Sequence, residues 1–143
     1  MRGFEHVCER ARAIIAHGRD WKLWVLCDRD PVDRWVDGRV TLLGDAAHPM
    51  MQYMAQGACM AMEDAVRLAA ELDAGRDDFA AALERYRRAR MVRTARVQLQ
   101  SRAVGEHVYH PAGAHAQVRD AILRAKTSED FYDDLAWLYG GHG

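Results

Sequence analysis

The stretch from Gly38 to Pro49 constrains the fold of this chain more than any other part of it. Its β-branched and aliphatic residues, Val40 to Leu43, predict a short buried strand. Gly44 ends this strand where the backbone must approach another group closely, and Asp45 then places a carboxylate at the strand's C-terminal edge. Open α/β sheets bind ligands at this edge, so the order of strand, Gly-Asp turn, loop and helix favours a polar ligand with an electron-rich end.

A helix is predicted to follow the loop, from Gly57 to about Leu72. Its spacing puts small and aliphatic residues on one face, namely Ala58, Ala61, Met62, Ala65, Leu68, Ala69 and Leu72. Glu63 and Arg67 are spaced to pair on the other face. An ordinary amphipathic helix would show the same pattern, so the ligand hypothesis depends on the lead-in from Gly44 to Pro49.

The composition indicates a globular chain and excludes several function classes. The 143 residues are half hydrophobic and carry a net charge of -1, so no overall field attracts nucleic acid or a membrane surface. Cys8, Cys27 and Cys59 are widely spaced and form no C-x-x-C pair, which argues against a disulfide framework and suits a reducing cytoplasm. No apolar run has the length that crosses a membrane.

Two elements are predicted before the central stretch. Residues 4–17 show the helical spacing of apolar side chains. Residues 21–27 alternate large apolar side chains and predict a strand. A turn is expected at Asp28-Arg29-Asp30-Pro31, where Asp28 and Arg29 could form a surface pair. A short helix-like turn is expected from there, ending in a hairpin-like corner at Asp37 and Gly38.

A long helix is predicted from Asp78 to Val108. The residues expected on its buried side are Phe79, Leu83, Tyr86, Ala89 and Val97. Six arginines lie between Arg85 and Arg96, which raises the question of nucleic-acid binding. They fall all around the helix, and acidic residues elsewhere cancel their charge, so a solvated or subunit-facing surface is favoured.

Two further helices are predicted in the C-terminal part, after a break at Pro111 and Gly113. The first covers residues 114–126, and Ser128 is expected to N-cap the second. The second helix would pack on the helical layer or across a dimer contact through its large apolar residues Phe131, Leu135, Trp137, Leu138 and Tyr139. Three nearby histidines lack the carboxylate or cysteine that would complete a metal site; they are His107, His110 and His115.

Two ordered motifs carry a resemblance to a known family. GDAAHP at residues 44–49 is followed by QGACMAMEDAVRLA at residues 56–69, and the pair resembles the second flavin motif of the single-component aromatic hydroxylases, the flavoprotein monooxygenases of the para-hydroxybenzoate hydroxylase type. The loop PMMQYMAQG at residues 49–57 is most similar to the 3-hydroxybenzoate 6-hydroxylase branch, and the salicylate hydroxylases are more distant. The similarity extends over residues 24–35, 86–102 and 109–119.

The resemblance implies a mostly α, α+β fold class, part of an FAD/NAD(P)-binding Rossmann-like monooxygenase fold. Residues 1–36 would end a substrate-binding domain. Residues 37–76 would hold the last strand, the Gly-Asp motif and a helix of the FAD-binding domain, and residues 77–143 a C-terminal helical layer. The family's G-x-G-x-x-G fingerprint is absent from this sequence. The chain is therefore expected to be a C-terminal part that lacks the enzyme's N-terminal part and, alone, holds little FAD and shows no turnover.

The resemblance also implies a cofactor site. The cofactor-binding residues would be Gly44, Asp45, Pro49, Gln56, Gly57 and Ala58. Asp45 would accept hydrogen bonds from ribityl hydroxyls, and the first N–H groups of the helix would stabilise a flavin that becomes an anion on reduction.

Gln52 and Tyr53 lie where substrate would meet the flavin. Gln52 is the candidate for a catalytic polar contact, although it could equally stabilise the loop. His48 is expected to be structural rather than a base, and no metal is predicted.

The whole enzyme would, by resemblance, use FAD, NADH and dioxygen to convert 3-hydroxybenzoate to gentisate. It would be a cytoplasmic homodimer that binds a small aromatic acid, binds no nucleic acid and does not insert into a membrane. The region of Asp28 and Arg29 would then face the flavin domain. Three alternatives stay open: a salicylate-type hydroxylase, a non-catalytic helical interaction module, and an arginine-rich nucleic-acid binder.

Overall fold

A computed structural model describes Glu5 and residues 7–140 of the chain. Its helices are α1 (Glu9–Ala16), α2 (Gly57–Ala74), α3 (Phe79–Val104), α4 (Gly113–Ala125) and α5 (Ser128–Tyr139). Strands β1 (Val36–Asp37) and β2 (Val40–Thr41) form an antiparallel hairpin. Shorter helical turns lie at Gly44–Ala46, Gln52–Met54 (both 3-10) and Gly105–Tyr109 (π). The predicted fold class, α+β and mostly α, is therefore confirmed.

Two apolar clusters hold the hairpin and the helices together. The first packs the hairpin onto α3 and contains the buried residues Trp35, Ala47 and Tyr86. The second joins α2, α3 and α5 and contains Met60, Val97 and Leu138. Leu138 thus packs α5 on α2 and α3. Packing on the helical layer was one of the two positions predicted for this helix. None of the helices in the described residues combines the length and apolar character needed to span a bilayer.

Residues 21–27 form no strand, contrary to the sequence prediction. No other strand of the described residues lies beside them, and an unpartnered strand leaves its backbone groups without hydrogen bonds. Leu23 is 97% exposed and Trp24 is 77% exposed. The helix-like turn predicted before Gly38 is wrong, because the chain there enters strand β1, whereas the hairpin corner predicted at Asp37 and Gly38 is present between β1 and β2. The central strand is only Val40–Thr41, and Val40 is exposed rather than buried.

The buried face of α2 is polar, whereas the sequence predicted a face of small apolar residues. Met60, Asp64 and Glu71 are buried, while Met62 is 62% exposed. The prediction was wrong because it placed every charged residue of α2 in solvent. Asp64 and Glu71 are instead buried together with arginine partners on α3.

Several arginines of α3 form ion pairs with acidic residues of α2. Arg90 contacts both Glu63 and Asp64, and Arg93 contacts Glu63. Glu63, which was predicted to pair with Arg67, thus contacts arginines across the two helices, and Arg67 pairs with Glu71 on its own helix. These arginines hold the two helices together.

Two predicted details of the C-terminal half need correction. Helix α3 ends at Val104, where the chain changes into the π-helical turn. Thr127, not Ser128, is the N-cap of α5, and it forms a capping box with Asp130. Of the five α3 residues predicted to be buried, Leu83, Tyr86 and Val97 are buried, while Phe79 and Ala89 are exposed.

Candidate functional site

The Gly-Asp turn follows the hairpin and lies against α2. Gly44 has a φ of +58°, and a Cβ at this position would lie 3.2 Å from the Cβ of Ala61. Glycine is therefore required both by the backbone conformation and by the close approach of the two segments. The 3-10 turn that begins here leaves the side chain of Asp45 exposed. The carboxylate is thus available to a ligand.

An open cavity of about 610 Å³ lies beside this turn. Its walls include five of the predicted site residues, which are Gly44, Asp45, Gln52, Gly57 and Ala58. Met50, Met51 and Ala55 complete the loop side. The other three predicted residues, Pro49, Tyr53 and Gln56, support the loop through contacts with α3, the π-helical turn and α5. The functional roles of all eight residues stay predictions.

Helix α2 begins at this cavity without a side-chain cap. Gln56 occupies the N-cap position, but its side-chain amide donates to the carbonyl of Met54 and to the hydroxyl of Tyr139. A Cβ on Gly57 would lie 4.0 Å from Oδ1 of Asp45, so this carboxylate and the helix start border the same space. A helix start offers N–H groups and a positive dipole end, which bind electron-rich groups.

A buried carboxylate supports the turn from behind. Asp64 accepts hydrogen bonds from Gly44 N–H at 3.1 Å, from His48 Nε2 at 2.6 Å and from Arg90 Nε at 2.7 Å. Burial by itself raises the pKa of Asp64, but the hydrogen bonds from His48, Arg90 and Gly44 outweigh burial, so the pKa lies below its usual value. Asp64 is therefore ionised at neutral pH, and fully buried His48 lies behind the turn as its hydrogen-bond partner.

Asp28 and Arg29 do not form the predicted surface pair with each other. Arg29 donates to the carbonyl oxygens of Ala46 and Ala47 at 2.6 and 2.7 Å. Asp28 pairs with Arg102 near the end of α3. The segment before the hairpin is thus attached to the Gly-Asp loop and to the helical layer.

Sequence reasoning missed the residues that support the loop from behind. Gln98 and Ser101 on α3 donate to the carbonyl oxygens of Pro49 and Met51. No local pattern could reveal them, because their partners are backbone atoms about 50 residues away. A signal for Asp64 did exist, since its acidic side chain lies one helical turn from Met60, on the same face.

A family model described as an FAD binding domain matches residues 11–101, which contain the turn, the cavity and α2. This chain belongs to the FAD-binding domain family. The match covers more than half of the chain, and the predicted recognition of a flavin motif is confirmed.

The most similar curated relatives include aromatic hydroxylases. The chain is 56% identical over 138 residues to 3-hydroxybenzoate 6-hydroxylase 1 from Aquipseudomonas alcaligenes, which covers 96% of this chain and 34% of the relative. It is 50% identical over 137 residues to 3-hydroxybenzoate 6-hydroxylase from Polaromonas naphthalenivorans, with the same coverage. The chain therefore spans about a third of the length of the curated relatives that it matches.

A solved structure supports the same fold. A variant of HpxO from Klebsiella pneumoniae, complexed with FAD, matches with a TM-score of 0.70 and 36% identity. The match covers 76% of this chain and 28% of that protein. The predicted assignment to an FAD-binding monooxygenase fold is thereby confirmed.

Proposed function

We propose that residues 44–58 of this chain form the flavin-binding corner of an FAD-dependent monooxygenase that hydroxylates a phenolic acid, and that its C-terminal helices form the helical layer of that enzyme. One observation carries the proposal: the exposed carboxylate of Asp45 and the uncapped start of α2 border one open cavity. FAD has ribityl hydroxyls, which a carboxylate binds, and an electron-accepting ring, whose negative charge a helix start stabilises.

The residues at the cavity fit this cofactor. Asp45 would accept hydrogen bonds from the ribityl chain, and the absence of a side chain at Gly57 leaves the helix start accessible. The first N–H groups of α2 would favour negative charge on the ring by about 0.3–2 kcal/mol. When bound, the flavin supplies the activation of dioxygen for hydroxylation of an aromatic ring. The chain's own residues would orient the reactants and exclude water, with Gln52 holding a polar group of the substrate.

The proposed reaction converts 3-hydroxybenzoate to gentisate with NADH as co-substrate. The names of the relatives from A. alcaligenes and P. naphthalenivorans support this substrate over salicylate. In the whole enzyme, residues 1–36 would end the substrate domain, residues 37–76 would belong to the FAD-binding domain, and residues 77–143 would form the helical layer. The enzyme would be a cytoplasmic homodimer.

The test uses a chimera in which this chain replaces the matched third of the A. alcaligenes enzyme. The chimera should bind FAD and oxidise NADH faster when 3-hydroxybenzoate is present than when salicylate replaces it. Asp45→Ala should weaken FAD binding by roughly 10- to 100-fold, the loss expected for one hydrogen bond to a charged group. Asp73→Ala is the matched control, because Asp73 lies on α2 with an exposed side chain.

Equal FAD affinity in the Asp45→Ala chimera and its parent would contradict the proposal. The chain by itself should bind FAD weakly and show no turnover, since the family's dinucleotide fingerprint is absent from its sequence. Purification of this chain with stoichiometric FAD would overturn that expectation.

A further inference from the structure

The loop between Pro49 and α2 is held in a conformation that needs support from its surroundings. Ala55 has a φ of +53°, in the left-handed region that residues with a Cβ rarely occupy. Such a conformation persists only where neighbouring contacts determine it. Helix α3 supplies two of these contacts, from Gln98 to the carbonyl of Pro49 at 3.0 Å and from Ser101 to the carbonyl of Met51.

A third support comes from the π-helical turn and acts on Tyr53. The Tyr53 hydroxyl lies 2.6 Å from Nε2 of His110. The ring of Tyr53 lies against Tyr109, with ring centroids 5.4 Å apart, and meets the His110 ring edge-on at 5.2 Å. Gly105 leaves the space for this ring, because a Cβ there would lie 2.4 Å from Cε2 of Tyr53. π-Helical turns are rare and are found frequently at functional sites.

Tyr53 and Gln52 are neighbours in the 3-10 turn Gln52–Met54. Successive residues of a 3-10 turn project about 120° apart, because the turn has three residues per revolution. Gln52 lines the cavity, whereas the ring of Tyr53 packs behind the loop. Because the two residues share this turn, holding the Tyr53 ring in place also holds the backbone from which Gln52 projects towards the cavity.

We propose that His110 is a positioning residue, which acts through Tyr53 to direct Gln52 into the cavity. Tyr53 then serves the site from behind the loop, and not as the substrate contact that the sequence suggested. The identity of the substrate that Gln52 meets rests on the proposed function. The coupling between His110 and Gln52, however, is a property of this chain without any ligand.

A merely stabilising role of His110 would have a different signature. In that case its loss would lower the stability of the whole chain, and every slowly exchanging amide would exchange faster. A positioning role predicts a local change, in which the loop opens more often while α2 and α3 keep their protection. His110 is exposed and at the edge of the fold, so its loss removes no buried core contact.

The test measures hydrogen–deuterium exchange of the loop amides and the side-chain amide resonances of Gln52, by nuclear magnetic resonance on the 143-residue chain. In His110→Ala, the loop amides should exchange on the order of fivefold faster, the factor for loss of one hydrogen bond of ordinary strength. The Gln52 side-chain amide should shift towards its position in an unstructured peptide. Tyr53→Phe should give the same changes, because it removes the same bond from the other side.

Two further variants complete the test. His110→Gln keeps a hydrogen-bonding group near the hydroxyl and should restore slow exchange in the loop. His115→Ala is the matched control, because His115 lies on α4 with its ring against His107, and it should leave the loop unchanged.

Equal loop exchange in the His110→Ala and His115→Ala chains would overturn the proposal, as would faster exchange spread evenly over α2 and α3. A wild-type chain in which the loop amides are unprotected would overturn it too. The measurement needs no flavin, so its failure leaves the proposed function intact. Conversely, an unchanged FAD affinity in the Asp45→Ala chimera would remove the proposed function and leave this coupling in place.

Discussion

Replacement of Asp64 by asparagine is expected to weaken the support of the Gly-Asp turn. The substitution keeps the shape of the side chain and removes its charge. The carboxylate serves three donors, on Gly44, His48 and Arg90. An amide has only one oxygen to accept these bonds, and its NH2 group would face a donor instead. Asp64→Asn therefore leaves at least one buried donor without an acceptor.

The size of the effect follows from burial. The side chain of Asp64 is 0% exposed and that of Arg90 is 7% exposed, so water cannot replace the lost partner. Removing one member of a buried ion pair costs about 3–5 kcal/mol. Arg90 keeps a second carboxylate, Glu63, at 2.7 Å, so the lower end of this range, about 3 kcal/mol, is expected for Asp64→Asn. Asp64→Ala removes every acceptor and should cost about 5 kcal/mol.

Urea unfolding of the chain, followed by far-ultraviolet circular dichroism, gives the free energies of unfolding. Asp73→Asn is the matched control, since Asp73 lies on the same helix and pairs with Arg76 in solvent. Its free energy of unfolding should change by no more than about 0.5 kcal/mol. A loss below about 1 kcal/mol for Asp64→Asn would refute the argument that the buried charge, rather than side-chain shape, holds the turn.

Two other perturbations test the neighbouring contacts. Hydrogen bonds from Arg93 and Arg90 lower the pKa of Glu63 from 4.5 to about 2 despite its partial burial, so this carboxylate stabilises the fold above about pH 4.5 and loses its contribution as the pH falls towards 2. Urea unfolding at successive pH values should show this loss, of at most about 3 kcal/mol. In Glu63→Gln, the free energy of unfolding should depend less on pH between about pH 4.5 and 2. The same pH dependence in the variant and the parent chain would contradict the stabilising role of the Glu63 carboxylate. Gly105→Ala should push the Tyr53 ring aside and cost about 1–3 kcal/mol in the same assay, and a neutral result would show that the ring does not need this space.

The Gly-Asp turn and the start of α2 could be predicted from the sequence because their determinants are local. Gly44 and Asp45 occupy one turn, and Gly57 opens the next helix, so a continuous stretch specifies the backbone that borders the cavity. The strand at residues 21–27 could not be judged in the same way. Its alternating apolar residues favour a β-strand. A strand forms only beside a hydrogen-bonded partner strand, and the described residues contain no such partner for it.

The buried polar face of α2 could not be predicted for a different reason. From an amphipathic pattern, charged side chains are predicted to be exposed. This prediction fails where a packed helix places an oppositely charged side chain beside them in the interior. Asp64 and Arg90 are 26 residues apart, and no local sequence pattern pairs them with each other. Only the packing of α3 on α2 brings them within 2.7 Å.

The arginine-rich helix and the Gly-Asp turn are parts of one arrangement. The turn needs an acceptor for the N–H of Gly44 at a point where the backbone is too close to α2 to admit water, and Asp64 supplies it. A buried carboxylate is stable there only with a cation beside it, and Arg90 supplies that cation from α3. The same helix holds the far side of the loop through Gln98 and Ser101. Of the arginines on α3, Arg90 thus maintains the buried charge on which the Gly-Asp turn depends.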